Sequence, residues 1–202
     1  SVSYERNEKF DRNYCTGQSH VICNNGQQAM TGRSFWTGYP TSATGVYLGT
    51  SMQELITQRG LAVNQFCKVL STGLKMKIIS ATTGMSKLTM LIVRANRDTV
   101  SGSYSTTAPH HAWTQSAQEF PTMAPSVLGA RPYNAAFGTI WKIVKTKQWI
   151  LNPGQCVDFD IKSMEHYDLN VAKIGAAIES VGALTNVRNR TYGVIWIVEG
   201  FP

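Results

Sequence analysis

The sequence predicts an all-β protein built as an antiparallel β-sandwich. Three observations carry this. Charged residues make up only 15% of the 202-residue chain, against roughly 25% in an average soluble domain. Neutral polar residues replace them, with 20 Thr, 16 Ser, 11 Asn and 10 Gln, and these types favour strands and turns. The apolar runs are short, such as Met90–Val93 and Val194–Val198, which suits strands and falls far below the ~20 residues of a membrane span. A disordered chain or a helical bundle would carry more charge than this. The length allows one domain with a full two-layer core.

The elements follow in order. Ser51-Met52-Gln53-Glu54 has capping-box spacing, with Leu55, Ile56 and Arg59 continuing and Gly60 closing, so a helix is expected over 52–59. Leu74–Ser80 alternates, with Leu74, Met76 and Ile78 on one face and Lys75 and Lys77 on the other. Lys87–Arg94 is a second strand, and Ala81–Gly84 between them reads as a hairpin loop. Residues 96–135 are punctuated by Pro109, Pro121, Pro125 and Pro132, which block regular ladders. A loop of that length is usually functional. Thr139–Leu151 is rich in strand formers and ends at Asn152-Pro153-Gly154, a tight-turn sequence. In Gln155–Lys162, Val157, Phe159 and Ile161 point one way and Asp158, Asp160 and Lys162 the other. Val171, Ile174, Ile178 and Val181 recur at helical spacing behind Asn170. Tyr192–Val198 is apolar on both faces and needs cover on both sides, from the core and from a loop or neighbouring chain. Short strands, large loops and one or two short helices define a sandwich or jelly roll.

The net charge of +7 is uneven. Residues 1–54 balance four bases against four acids, residues 55–154 carry eleven bases and two acids, and residues 155–202 carry four bases and six acids. A basic surface of this kind either faces phosphate, where counterion release drives sequence-independent binding, or is a solvated strand face guarded by lysines. Lys75 and Lys77 share a face by parity. Lys142, Lys145 and Lys147 form a second run, but Lys142 and Lys145 differ in parity and share a face only if a bulge intervenes.

Enzymatic chemistry finds little support. No nucleophile elbow, P-loop, zincin or dinucleotide motif occurs. The cysteines Cys15, Cys23, Cys67 and Cys156 are 8, 44 and 89 residues apart, which is not a zinc or redox spacing. Buried free thiols are expected, with a Cys15–Cys23 bridge as the alternative. Asp158 and Asp160 project from one strand face near Glu165 and Asp168. They are weak candidates for a hard cation or an acid/base pair, and the plainer reading is an exposed face paired with Lys162. His110-His111 in the long loop diverge too much for a metal. With Trp113 they are read as a contact or surface loop, as is Trp36 beside its turn glycines, because tryptophan anchors interfaces. No cofactor is implied.

Residues Lys145–Lys162, and above all Leu151-Asn152-Pro153-Gly154-Gln155 between an aromatic-aliphatic stretch and an alternating strand, resemble a segment of capsid proteins from small circular single-stranded-DNA viruses, the circovirus-like group. The basic segment from Lys68 to Asp98 and the closing Ile195–Pro202 fit the same pattern, as they would fit coat proteins of satellite plant viruses. The resemblance implies that residues 1–202 form a single eight-stranded jelly-roll capsid domain. It implies self-assembly of roughly sixty copies into an icosahedral shell. The implied partners are other copies of the chain and genomic single-stranded DNA, with location in the virion and, during assembly, in the host nucleus or cytoplasm, and no membrane insertion. It assigns Lys75 and Lys77 to the lumen, with Arg6, Lys9 and Arg12 leading in from a basic arm. Residues 1–12 are charge-balanced rather than Arg-rich, so flanking sequence at both ends is expected. The rival reading is a carbohydrate-binding β-sandwich using Trp36 and Trp113. A hydrolase built on Asp158, Asp160 and Glu165 comes third.

Overall fold

The computed structural model describes residues 28–39, 47–48, 51–62, 65, 67–81, 83–100, 109, 135–175 and 184–200. Strands make up 55% of the described residues and helices 15%, consistent with an all-β protein. The strands are β1 (Gln28–Phe35), β2 (Tyr47–Leu48), β3 (Cys67–Val69), β4 (Thr72–Ile79), β5 (Ser86–Ala95), β6 (Thr99–Val100), β7 (Trp141–Leu151), β8 (Cys156–Ser163), β9 (Tyr167–Leu169), β10 (Leu184–Asn186) and β11 (Tyr192–Gly200). Three short helices join them, α1 (Met52–Gln58), α2 (Ala135–Ile140) and α3 (Val171–Gly175).

Among the described residues a five-stranded sheet has the order β2-β1-β11-β5-β7, and β4-β8, β3-β9 and β6-β10 form two-stranded sheets. All ladders are antiparallel except β1 with β2. The core lies between the five-stranded sheet and β4-β8. Leu88, Met90, Ile92, Val194 and Trp196 meet Leu74, Met76, Ile78, Val157, Phe159 and Ile161 there. Each fully buried aliphatic side chain of this kind contributes about 1.5–3 kcal/mol.

The central strands are buried on both faces, as the apolar run of β11 requires. Leu91, Val93, Ala95, Ile195 and Ile197 form a second cluster with Phe137, Ile140 and Trp141. Cover therefore comes from the chain itself, through α2 and the first residue of β7. Pro109 also lies on this face. A Cβ on Gly193 would stand 2.8 Å from the Pro109 ring and 2.9 Å from a Val93 methyl, so this close approach requires glycine.

Local expectations are met where chemistry is local. Ser51 and Glu54 form the full capping box of α1, and Gly60 ends it at φ +60°. The Asn170 side chain accepts from the Lys173 N–H at 2.8 Å and caps α3, although 176–183 lie outside the described residues. Gly154 turns the chain at φ +75°.

The hairpin expected across 81–84 does not form. β4 pairs with β8, whereas β5 pairs with β7 and β11, so the link carries the chain from one sheet to the other. Side-chain matching gives the reason. A hairpin with β5 would set the lysine face of β4 against an apolar row. β8 instead offers Asp160 opposite Lys75 and Asp158 opposite Lys77, and opposite charges at facing positions stabilise a ladder. The Ser80 N–H donates to the Gln155 carbonyl and the Gly154 N–H to the Ser80 carbonyl, which binds the two crossing links together.

Candidate nucleic-acid interface

The uneven charge of the sequence is partly matched by strand pairing. Bases of the central segment face acids of the C-terminal segment. Lys68 stands opposite Asp168. Lys75 and Lys77 stand opposite Asp160 and Asp158. Lys87 is 3.5 Å from Glu199. Glu165 bridges Arg94 at 3.7 Å and Arg190 at 3.2 Å. The outer face of β4-β8 is therefore a mixed field, with three lysines and two aspartates counting Lys162.

β7 differs. Lys145 is opposite Ile92 and Ile143 is opposite Val93, so Val144 is the extra residue of a β-bulge. The bulge resets the parity of the strand. Lys142, Lys145 and Lys147 then face Arg94, Ile92 and Met90 in turn, and facing residues share one side of the sheet. All three are exposed. Their common face turns toward β8. The Lys145 ammonium lies 5.2 Å from the centre of the Phe159 ring, a cation–π contact. The same ring meets Trp149 edge-on with centroids 6.0 Å apart. No acid occurs between Glu119 and Asp158, so the strand has no negative residue of its own.

The residues expected at functional sites distribute as follows. Lys75 and Lys77 are exposed on one face, as their parity required, with an aspartate across from each. Asp158 and Asp160 likewise share the outer face of β8, and no group of three metal-ligating side chains occurs among the described residues. Trp36 is a correction. It is 8% exposed and belongs to the main core, not to a contact surface. Its indole N–H donates to the Tyr167 hydroxyl, and the Thr191 hydroxyl donates to its carbonyl at 3.0 Å. The polar edge of the ring is thus satisfied internally, and its apolar body is free to be buried. Cys156 corrects the expectation of buried thiols, being exposed, whereas Cys67 is half-buried and burial pushes its thiol up. Arg6, Lys9, Arg12, Cys15, Cys23, His110, His111 and Trp113 lie outside the described residues.

Two further arrangements bound the site. Arg190 stacks 4.0 Å over the Tyr167 ring, and burial pushes the Tyr167 hydroxyl up to about 12. Burial alone would raise the Asp98 carboxyl, but the Arg188 N–H at 2.8 Å and the Lys173 ion pair outweigh it and hold it below its ordinary value. Glu165 is thus held by Arg94 and Arg190, and Asp98 by Lys173. By sequence parity alone Lys142 falls on the opposite face from Lys145 and Lys147. The ladder with β5 restores the shared face by leaving Val144 unpaired. No protein-family model, curated protein or solved structure matches the chain.

Proposed function

We propose that this chain is a viral coat protein of jelly-roll type. Its copies assemble into a small icosahedral shell and hold single-stranded nucleic acid, DNA by the resemblance, through sequence-independent charge. The observation that carries the reading is the nesting of the long ladders. β1 pairs with β11, β4 with β8 and β5 with β7, so outer strands pair with outer and inner with inner, as in one long hairpin. Rolling that hairpin up puts β1, β11, β5 and β7 side by side over β4 and β8, which is the arrangement of a jelly roll. The resemblance of Lys145–Lys162 to circovirus-like capsid proteins supports the same reading, because this stretch spans β7, the Gly154 turn and β8. The carbohydrate-binding alternative loses Trp36, which is committed to the core.

Negative-stain microscopy and size exclusion of the expressed chain test the proposal. Particles that release nucleic acid as salt rises are expected. A strictly monomeric species at neutral pH and low salt overturns it.

A further inference from the structure

We propose that the nucleic acid is held along β7, with successive phosphates against Lys142, Lys145 and Lys147, and not on the β4-β8 face. The ligand class rests on the coat-protein reading; the location rests on geometry alone.

Charge accounting comes first. The acids among the described residues all sit opposite or against other groups. Glu54 caps α1, Asp98 holds Lys173, and Asp158, Asp160 and Asp168 stand opposite Lys77, Lys75 and Lys68. Glu165 bridges two arginines, and Glu199 meets Lys87. Among the described residues, no acid stands opposite or against the row on β7. Covering three ammonium groups without compensation would be costly. The stretch 101–134 contains a single acid, Glu119, together with Arg131, so it does not supply that compensation. An occupant that carries its own negative charges in a line would match this face.

Spacing supplies the line. Without its bulge the strand would throw Lys142 to the opposite face. With it, the three lysines occupy alternate ladder positions, each step about 7 Å along the strand. The Cα atoms of Lys145 and Lys147, two residues apart, are separated by as many covalent bonds as two successive phosphorus atoms of a nucleic acid, and the bulge brings Lys142 to the same ladder spacing by a longer chain path. An extended single strand therefore runs parallel to β7 in register with the row. A duplex does not, since its backbone curves away from a straight edge. Lys145 is held over Phe159, so part of the row is already ordered before the ligand arrives.

The test uses the full chain and a fluorescein-labelled oligothymidylate, with affinity measured across a salt series. Replacing Lys142, Lys145 and Lys147 by Gln removes three phosphate contacts, so the slope of log affinity against log salt should fall by about 2. Lys75→Gln with Lys77→Gln should leave the slope unchanged. The reverse pattern overturns the inference. Two deletions at constant net charge separate position from charge. Deleting Val144 removes the bulge and keeps all three lysines on one face. Deleting Thr146 uses up the spare residue and turns Lys145 to the other face, so only this second variant should lower the slope. Lysine acetylation mapped by mass spectrometry adds a direct readout. The three residues should react in the free chain and be protected by oligonucleotide. Failure to react in the free chain means the chain covers its own row, and tighter binding of heparin than of oligonucleotide means the partner is a polysaccharide; either overturns the inference. Particle formation is scored separately. Particles whose nucleic-acid content is unaffected by the triple variant sink this inference and spare the coat-protein reading. Oligonucleotide binding through β7 by a chain that forms no particles does the opposite.

Discussion

β7 and β8 are consecutive strands joined by one tight turn, and both display charge on an exposed face. They handle it in opposite ways. β8 meets the lysines of β4 with aspartates at facing positions, so its outer surface is a mixed field that closes on itself. β7 places three lysines on one face beside Ile92 and Met90, with no acid across from them. Self-compensated charge selects a strand partner within the fold. Uncompensated charge at a sheet edge is left for a partner outside it, or serves only to repel stray strands.

Phe159 joins the two strands and gives the largest expected effect. Its ring packs in the core, meets Trp149 edge-on and lies under Lys145. Phe159→Ala should destabilise the protein by about 3 kcal/mol in denaturant unfolding. Phe159→Leu should restore most of the stability, because the loss is mainly buried area. If the alanine variant unfolds at the wild-type midpoint, β7 and β8 are not coupled through this ring.

The next effect concerns the anchoring of β9, which follows β8. Tyr167 is buried under Arg190, accepts from Trp36, and has its hydroxyl pushed up to about 12. The folded state therefore binds the phenolic proton more tightly than the unfolded chain does. Its contribution is complete below about pH 10 and is lost as pH rises toward 12, up to about 2 kcal/mol. Unfolding midpoints compared between wild type and Tyr167→Phe over this window isolate it. The phenylalanine variant should lose less stability as the pH rises. Parallel pH curves for the two proteins would mean that Trp36 and Tyr167 do not hold β9 to the core.

How much of this is legible without coordinates depends on the range of the interaction. The parity of β8 can be read residue by residue, because alternation is set by the backbone of one strand. The capping box of α1 is equally local. Pairing is not local. The Ala81–Gly84 link has turn composition, yet whether it closes a hairpin or crosses between sheets depends on Asp158 and Asp160, some eighty residues on by the register of β4 with β8. Trp36 misleads for a similar reason. Its neighbours are turn glycines, but its partners are Tyr167 of β9 and Thr191, just before β11. The lysine row of β7 sits between these cases. The sequence shows that the three lysines need a bulge to align, and only the ladder with β5 shows that Val144 provides it.

The smallest effects draw the contrast most finely. Replacing Asp158 and Asp160 by Lys puts like charges directly opposite Lys77 and Lys75, which costs up to about 1 kcal/mol per pair. The triple Gln variant of Lys142, Lys145 and Lys147 removes charges that have no opposite partner, so stability should stay within about 0.5 kcal/mol of wild type. Relief of Lys142 facing Arg94 and loss of the Lys145 contact with Phe159 act in opposite directions and keep the change small. High salt screens exposed charges, so it should narrow the deficit of the aspartate variant and leave the lysine variant unmoved. A lysine variant that lost as much stability as the aspartate variant would mean that the row on β7 is compensated from within the chain. The difference between the two strands would then be one of hidden partners, not of function.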